Sequence, residues 1–171
     1  MKKLFFIAML LVFAASTSFA QWWTSSQTVN ATVRVLWALT LTTGSPGTLN
    51  FGTITKSDSA EVNPNTSNSA VPFTADGIQG VPIHVTYSNT SLTGQHGGSP
   101  AIPWTPKLVG SNTNAQGSAT VVNSGDWVTL SGTFPGLNGK YYFWLGGKLY
   151  TDANQAADDY QGTFTLTVSY F

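Results

Sequence analysis

From Val29 the chain alternates for thirteen residues. Val29, Ala31, Val33, Val35, Trp37, Leu39 and Leu41 occupy the odd positions, and polar residues such as Asn30, Thr32, Arg34, Thr40 and Thr42 fill many of the even ones. The same period of two closes the chain, where Phe164, Leu166, Val168 and Tyr170 alternate with Thr163, Thr165, Thr167 and Ser169. Alternation of this kind predicts strands with one apolar and one polar face. Between these ends, "TLNFGTI", "VPFTAD", "VPIHVTYS", "ATVV", "WVTLSGT" and "YYFWLGGKLYT" read as further strands. They are separated by "GSPG", "NPNTSNS", "TGQHGGSP", "GSNTNAQGS" and "FPGLNGK", whose Gly, Pro and Asn supply turn conformations. Many short strands with no helical period between them predict an all-β fold, a single antiparallel β-sandwich. Residues 89–118 are rich in Gly, Ser and Asn and read as one long loop.

The first twenty residues follow a different pattern. "MKK" is basic, "LFFIAMLLVFAA" is apolar and "STSFA" ends in small residues before Gln21, which is the layout of a secretory signal peptide, residues 1–20. The apolar run is too short to span a ~30 Å hydrocarbon core. Removal at Ala20 leaves a 21–36 arm and a 37–171 sandwich domain, with no membrane insertion expected of either.

At ~3.3 Å per residue the Val29–Leu41 alternation would extend ~40 Å, against ~17–20 Å for an ordinary strand. Two readings of it stand. In one, a single long strand bends at "VLWAL" and crosses between sheets. In the other, Val29, Ala31, Val33 and Val35 are the contacts of a donor strand that completes a neighbouring copy, and Trp37–Leu41 is the first strand of the domain itself. Trp22 and Trp23 agree with the second, because a solvated tail rarely carries two indoles.

Charge and cysteine narrow the setting. Only 8% of residues are charged and there is no cysteine, so an exported chain of this kind is held by its core or by neighbours rather than by disulfides. Residues 21–171 carry five basic and seven acidic side chains, a net charge of −2. With no basic patch, nucleic acid and anionic membrane surfaces are poor partners. A surface dressed in Thr, Ser and Asn does little to keep copies apart.

At "LTLTTGSPGTLNFGTI" and "LGGKLYTDANQAADDYQGTFTLTVSYF" the chain resembles a family of secreted bacterial β-sandwiches, domain of unknown function 4402, similar to fimbrial subunits and spore-coat-U-like proteins. The resemblance rests on Leu49-Asn50-Phe51-Gly52, on Gly146-Gly147-x-Leu149, and on Gly162-Thr163-Phe164 with an alternating tail to Tyr170. It implies an immunoglobulin-like, pilin-like sandwich at the cell surface, and a homopolymer assembled when each N-terminal arm fills a groove in the next copy. Main-chain hydrogen bonds would give affinity and alternate side chains would fill pockets. Phe164, Leu166, Val168 and Tyr170 would then form the acceptor wall. The chain departs from chaperone–usher pilins in lacking their cysteine pair and in the position of Gly162.

Catalytic and metal chemistry is thinly represented. No G-x-S-x-G, P-loop or H-E-x-x-H motif is present. His84 falls on the polar face of its strand, and His96 has no acidic neighbour in sequence. Asp152, Asn154, Asp158 and Asp159 are a candidate calcium set, but the segment lacks the central glycine and final glutamate of an EF-hand loop; a polar linker is the simpler reading. Trp127 and Trp144 are expected in the core and Trp104, between prolines, at the surface, where a platform for sugar stacking is the lesser alternative. The expectation is therefore a non-enzymatic, cofactor-free subunit of an extracellular fimbria-like filament whose partners are copies of itself. The alternatives are a monomeric secreted adhesin or carbohydrate-binding module that contacts surface glycans, and a secreted hydrolase using Asp and His.

Overall fold

The computed structural model describes residues 38–97, 100–132 and 138–170. The signal segment, the arm and its four candidate donor contacts Val29, Ala31, Val33 and Val35 lie outside the described residues. Eleven strands are described: β1 (Thr40–Thr43), β2 (Ser59–Val62), β3 (Val71–Ile78), β4 (Pro82–Asn89), β5 (Thr93–Gly94), β6 (Trp104–Ser111), β7 (Thr120–Val121), β8 (Trp127–Thr129), β9 (Asn138–Tyr150), β10 (Tyr160–Gln161) and β11 (Phe164–Ser169). A single 3₁₀ turn at Gln116–Ser118 interrupts them, and no α-helix occurs among the described residues.

Two sheets face each other. The larger has the order β1-β3-β9-β6-β7, with β2 also pairing β9, and the smaller has the order β11-β4-β8. Every pairing is antiparallel, including the short β10-β5 pair. The fold is an antiparallel β-sandwich, as the alternation and turn spacing predict.

β9 is the spine. Its first eight residues pair β3 and its last four pair β2, with the change of partner at Gly146. The run "YYFWL" is apolar at every position because both faces of β9 are covered. Tyr141, Phe143 and Leu145 face the inter-sheet core with Ile83, Val85, Leu108 and Leu130. Trp144 joins Val62, Ala70 and Val109 in a second cluster. The neighbouring 63–70 segment is pinned by side-chain amides. Asn65 Nδ2 donates to Ala119 O at 2.8 Å, and Gln116 Nε2 donates to Pro64 O and Ser67 O at 2.8 and 2.9 Å. A backbone carbonyl in such a segment needs a partner, and glutamine supplies one from across the loop.

Two of the predicted elements differ. "TLNFGTI" is not a strand: Asn50 Oδ1 accepts the Gly52 N–H at 2.8 Å, and this local turn competes with pairing. Residues 47–58 instead run without a ladder partner. The region 89–118 is not one long loop, since it contains β5 and the eight-residue β6, whose Leu108 and Val109 are fully buried. Pro103 and Pro106 hide β6 from a propensity reading. Proline is tolerated at Pro106 because β7 pairs only Val109 and Gly110, leaving the edge of β6 at Pro106 without a strand partner among the described residues.

Candidate binding groove along the sandwich seam

β11 pairs β4 along all six residues, and its other edge has no strand partner among the described residues. Phe164, Leu166, Val168 and Tyr170 turn toward the core yet stay half-buried, while Thr165, Thr167 and Ser169 face out. Leu39 just before β1, Leu41 within it, and Leu49, Phe51 and Ile54 from the 47–58 segment are likewise half-buried and packed on the core. Among the described residues these apolar side chains line the seam between the two sheets, packed on the core but only half-buried.

The seam is stitched at one end. The Ile78 N–H donates to the Tyr170 hydroxyl at 2.8 Å, tying the end of β11 to β3 in the opposite sheet. This contact requires glycine at 77. A Cβ there would overlap the Tyr170 hydroxyl and come within 2.9 Å of Leu130 Cδ1 and 3.1 Å of Leu39 Cδ1.

At the other end a groove of about 1140 Å³ opens, with Val71, Phe73, Leu145 and Leu149 among its apolar lining. An aromatic row crosses it. Phe51 meets Trp104 edge to face at 5.8 Å, Trp104 lies 6.3 Å from Phe164, and Phe164 lies 5.4 Å from Tyr87. Edge-on and tilted aromatic pairs of this kind add to simple area burial. The Trp104 indole N–H donates to Thr90 O at 2.8 Å, so the buried ring is satisfied. Gly147 makes room for it, since a Cβ there would lie 3.0 Å from Trp104 Cε3 and 2.6 Å from Thr105 O. The three motifs read from the sequence, Leu49–Gly52, Gly146–Leu149 and Gly162–Phe164, thus converge on one tryptophan at the groove.

The tryptophan expectations need correction. Trp104 is buried, 9% exposed, whereas Trp127 is 53% exposed; Trp144 is buried as anticipated. On β6 the inward positions are Trp104 and Leu108. On β8 they are Val128 and, just beyond it, Leu130, which turns Trp127 outward. His84 lies on the outer face of β4, its ring 4.9 Å from that of Trp127.

The rim below the groove joins two distant loops. Gln155, buried, donates through Nε2 to Pro100 O and to the Tyr160 hydroxyl. The Gln95 N–H donates to Asp159 O at 2.9 Å. His96 has Nδ1 2.5 Å from Asp158 Oδ1, and its backbone N–H donates to Asp158 Oδ2 at 3.1 Å. The imidazole is 78% exposed and the carboxylate only 2%. Hydrogen bonding to Asp158, then its charge, raises the His96 pKa above the usual 6.5, with a smaller push from Asp159. The acidic partner that the local sequence lacks is supplied from 62 residues away. Of the candidate calcium ligands, Asp152 caps its own turn by accepting the Asn154 N–H at 2.9 Å, and Asp158 serves His96. Among the described residues no three His, Asp or Glu side chains gather as a metal site. No described helix is long and apolar enough to cross a membrane.

Thr151 closes the rim. Its buried hydroxyl accepts the Asp58 N–H at 3.1 Å and can donate to Thr55 O at 2.6 Å, anchoring the end of the unpaired segment to the end of β9.

A family model described as a domain of unknown function, DUF4402, matches residues 39–170, which is most of the chain. No curated protein matches it.

Proposed function

The chain belongs to the DUF4402 family, whose function is unknown, and on the strength of its open seam we propose that it is a non-enzymatic structural subunit of an extracellular, fimbria-like filament. The observation that carries this reading is the edge of β11, which has no strand partner among the described residues, beside a groove of about 1140 Å³ lined by both apolar and polar side chains. An edge strand with exposed N–H and C=O groups is a template for another strand. Val29, Ala31, Val33 and Val35 of one copy would lie beside Phe164, Leu166 and Val168 of the next, in the β-addition mode. Each valine so covered contributes about 1.5–3 kcal/mol relative to its exposed state. Seven residues span ~23 Å and β11 spans ~20 Å, so arm and edge match in length. A head-to-tail contact of this kind does not close on itself and extends as a fibre. The signal segment supports export, and the cysteine-free, weakly charged composition agrees with a chain completed by its neighbours.

The test compares residues 21–171 with residues 37–171 by light scattering at matched concentration. The longer chain is expected to form polymers and the shorter one to stay monomeric. A synthetic peptide of residues 29–36 should stabilise the shorter chain, by about 2.7 kcal/mol at a hundredfold excess over its Kd. Leu166→Asp, on the acceptor wall, should abolish both effects. Two equally monomeric chains and an inert peptide would refute the proposal and favour a self-contained secreted domain.

A further inference from the structure

The outward side of the small sheet presents a surface that the filament reading leaves unused. Pairing register places Ser169, His84 and Trp127 in one cross-strand row. Thr167 and Thr86 form the next row, and Thr165 and Ser88 the one beyond. Pro82 and Thr129 lie on the other side of the His84–Trp127 pair. None of these outward residues of β11, β4 and β8 carries a formal carboxylate, ammonium or guanidinium group. The result is a two-part surface, a flat aromatic end and a field of hydroxyls.

Trp127 is the anomaly. A tryptophan normally buries most of its large area, yet this one is 53% exposed while Leu130, three residues on and facing the other way, is fully buried. Its ring is backed by the His84 imidazole at 4.9 Å and 32°. Such support fixes the indole before any ligand arrives, which lowers the ordering cost of binding.

We propose that this face is a binding platform for a neutral, β-linked polysaccharide. A pyranose with equatorial hydroxyls has an apolar C–H face that stacks on an indole and a polar perimeter that hydrogen-bonds. Trp127 supplies the first contact, and His84 with Ser169, Thr86 and Thr167 supplies donors and acceptors for the second. The absence of acidic, lysine and arginine side chains among these outward residues suits a neutral polymer and gives no basic patch for nucleic acid or an acidic glycan. A protein partner fits less well, because the cores of protein interfaces are depleted in serine. The platform does not compete with the groove: the inward side chains of β11 line the seam and the outward ones belong to this face. In a filament the platforms would repeat and add avidity, but the site itself does not depend on polymerisation.

The test uses residues 21–171, with depletion measured on insoluble cellulose and chitin and on heparin and polygalacturonate matrices. Retention on a neutral matrix is expected. Trp127→Ala should lower it about tenfold, Trp127→Tyr by no more than about threefold, and the Thr86→Val/Thr167→Val pair by a few-fold. Thermal melting should show Trp127→Ala folded, since the side chain is exposed, and light scattering should show its assembly state unchanged. Failure to bind either neutral polymer, undiminished retention of folded Trp127→Ala, or retention on the charged matrices alone would each overturn the proposal without bearing on the groove.

Discussion

The stitch between Tyr170 and β3 makes a quantitative demand on two residues far apart in sequence. Tyr170→Phe deletes the oxygen that accepts the Ile78 N–H at 2.8 Å, in a partly buried setting. Losing a hydrogen bond and leaving a donor poorly satisfied costs about 1–2 kcal/mol, or very roughly 3–10 °C in Tm for a domain of this size. Gly77→Ala acts on the same point from the other side. Its methyl would overlap the Tyr170 hydroxyl, and overpacking of this kind costs about 1–3 kcal/mol. In the double variant the hydroxyl is gone, and only the Leu39 and Leu130 methyls, which can shift, still face the new Cβ. The two changes should therefore cost less together than their sum, by about 1 kcal/mol. Urea unfolding followed by near-UV circular dichroism measures all three variants, with an unchanged m-value showing that stability alone has moved. Additivity within about 0.5 kcal/mol, or a neutral Tyr170→Phe, would show that the two residues do not meet as described.

Three other outcomes check the rim and the core. The His96 pKa is raised by Asp158, so the pair stabilises the fold fully below the unfolded value of 6.5 and loses that contribution as pH rises through the higher folded value. The Tm difference between wild type and His96→Gln should accordingly shrink toward alkaline pH, and a difference that grows would contradict the contact. Leu108→Ala, at a fully buried position of β6, should cost about 2–5 kcal/mol in urea unfolding; a value below about 1 would mean that β6 is not a core strand. Thr151→Val removes the hydroxyl that tethers residues 55–58 and should cost about 1–3 kcal/mol. Hydrogen exchange should then rise at Asp58, whose N–H loses its acceptor, and protection as in wild type would argue against the tether.

What could be read from the sequence was what local alternation controls. β3, β4, β9 and β11 fall where their patterns put them, and the half-buried Phe164–Tyr170 stripe shares one face of β11. Where pattern and residue type conflicted, type misled. Prolines beside Trp104 suggested an exposed loop, although 104 and 108 share the inward face of a strand. The size of Trp127 suggested core, although "WVTL" assigns Val128 and Leu130 to the inside and leaves 127 out. "LNFG" has strand composition but spends its backbone on a turn around Gly52. The His96–Asp158 contact was beyond any local reading, because only the meeting of two loops 62 residues apart creates it.

The position of Trp104 has an optical consequence. It is a buried indole between Phe51 and Phe164, on opposite lips of the groove, whereas Trp127 emits from the solvated exterior. The two should report at separate wavelengths: a guest lodging in the seam would perturb the blue component, and a ligand on the outer face the red one. With Phe substitutions at the remaining indoles, a single fluorimeter trace could follow both surfaces of β11 at once, without any attached dye.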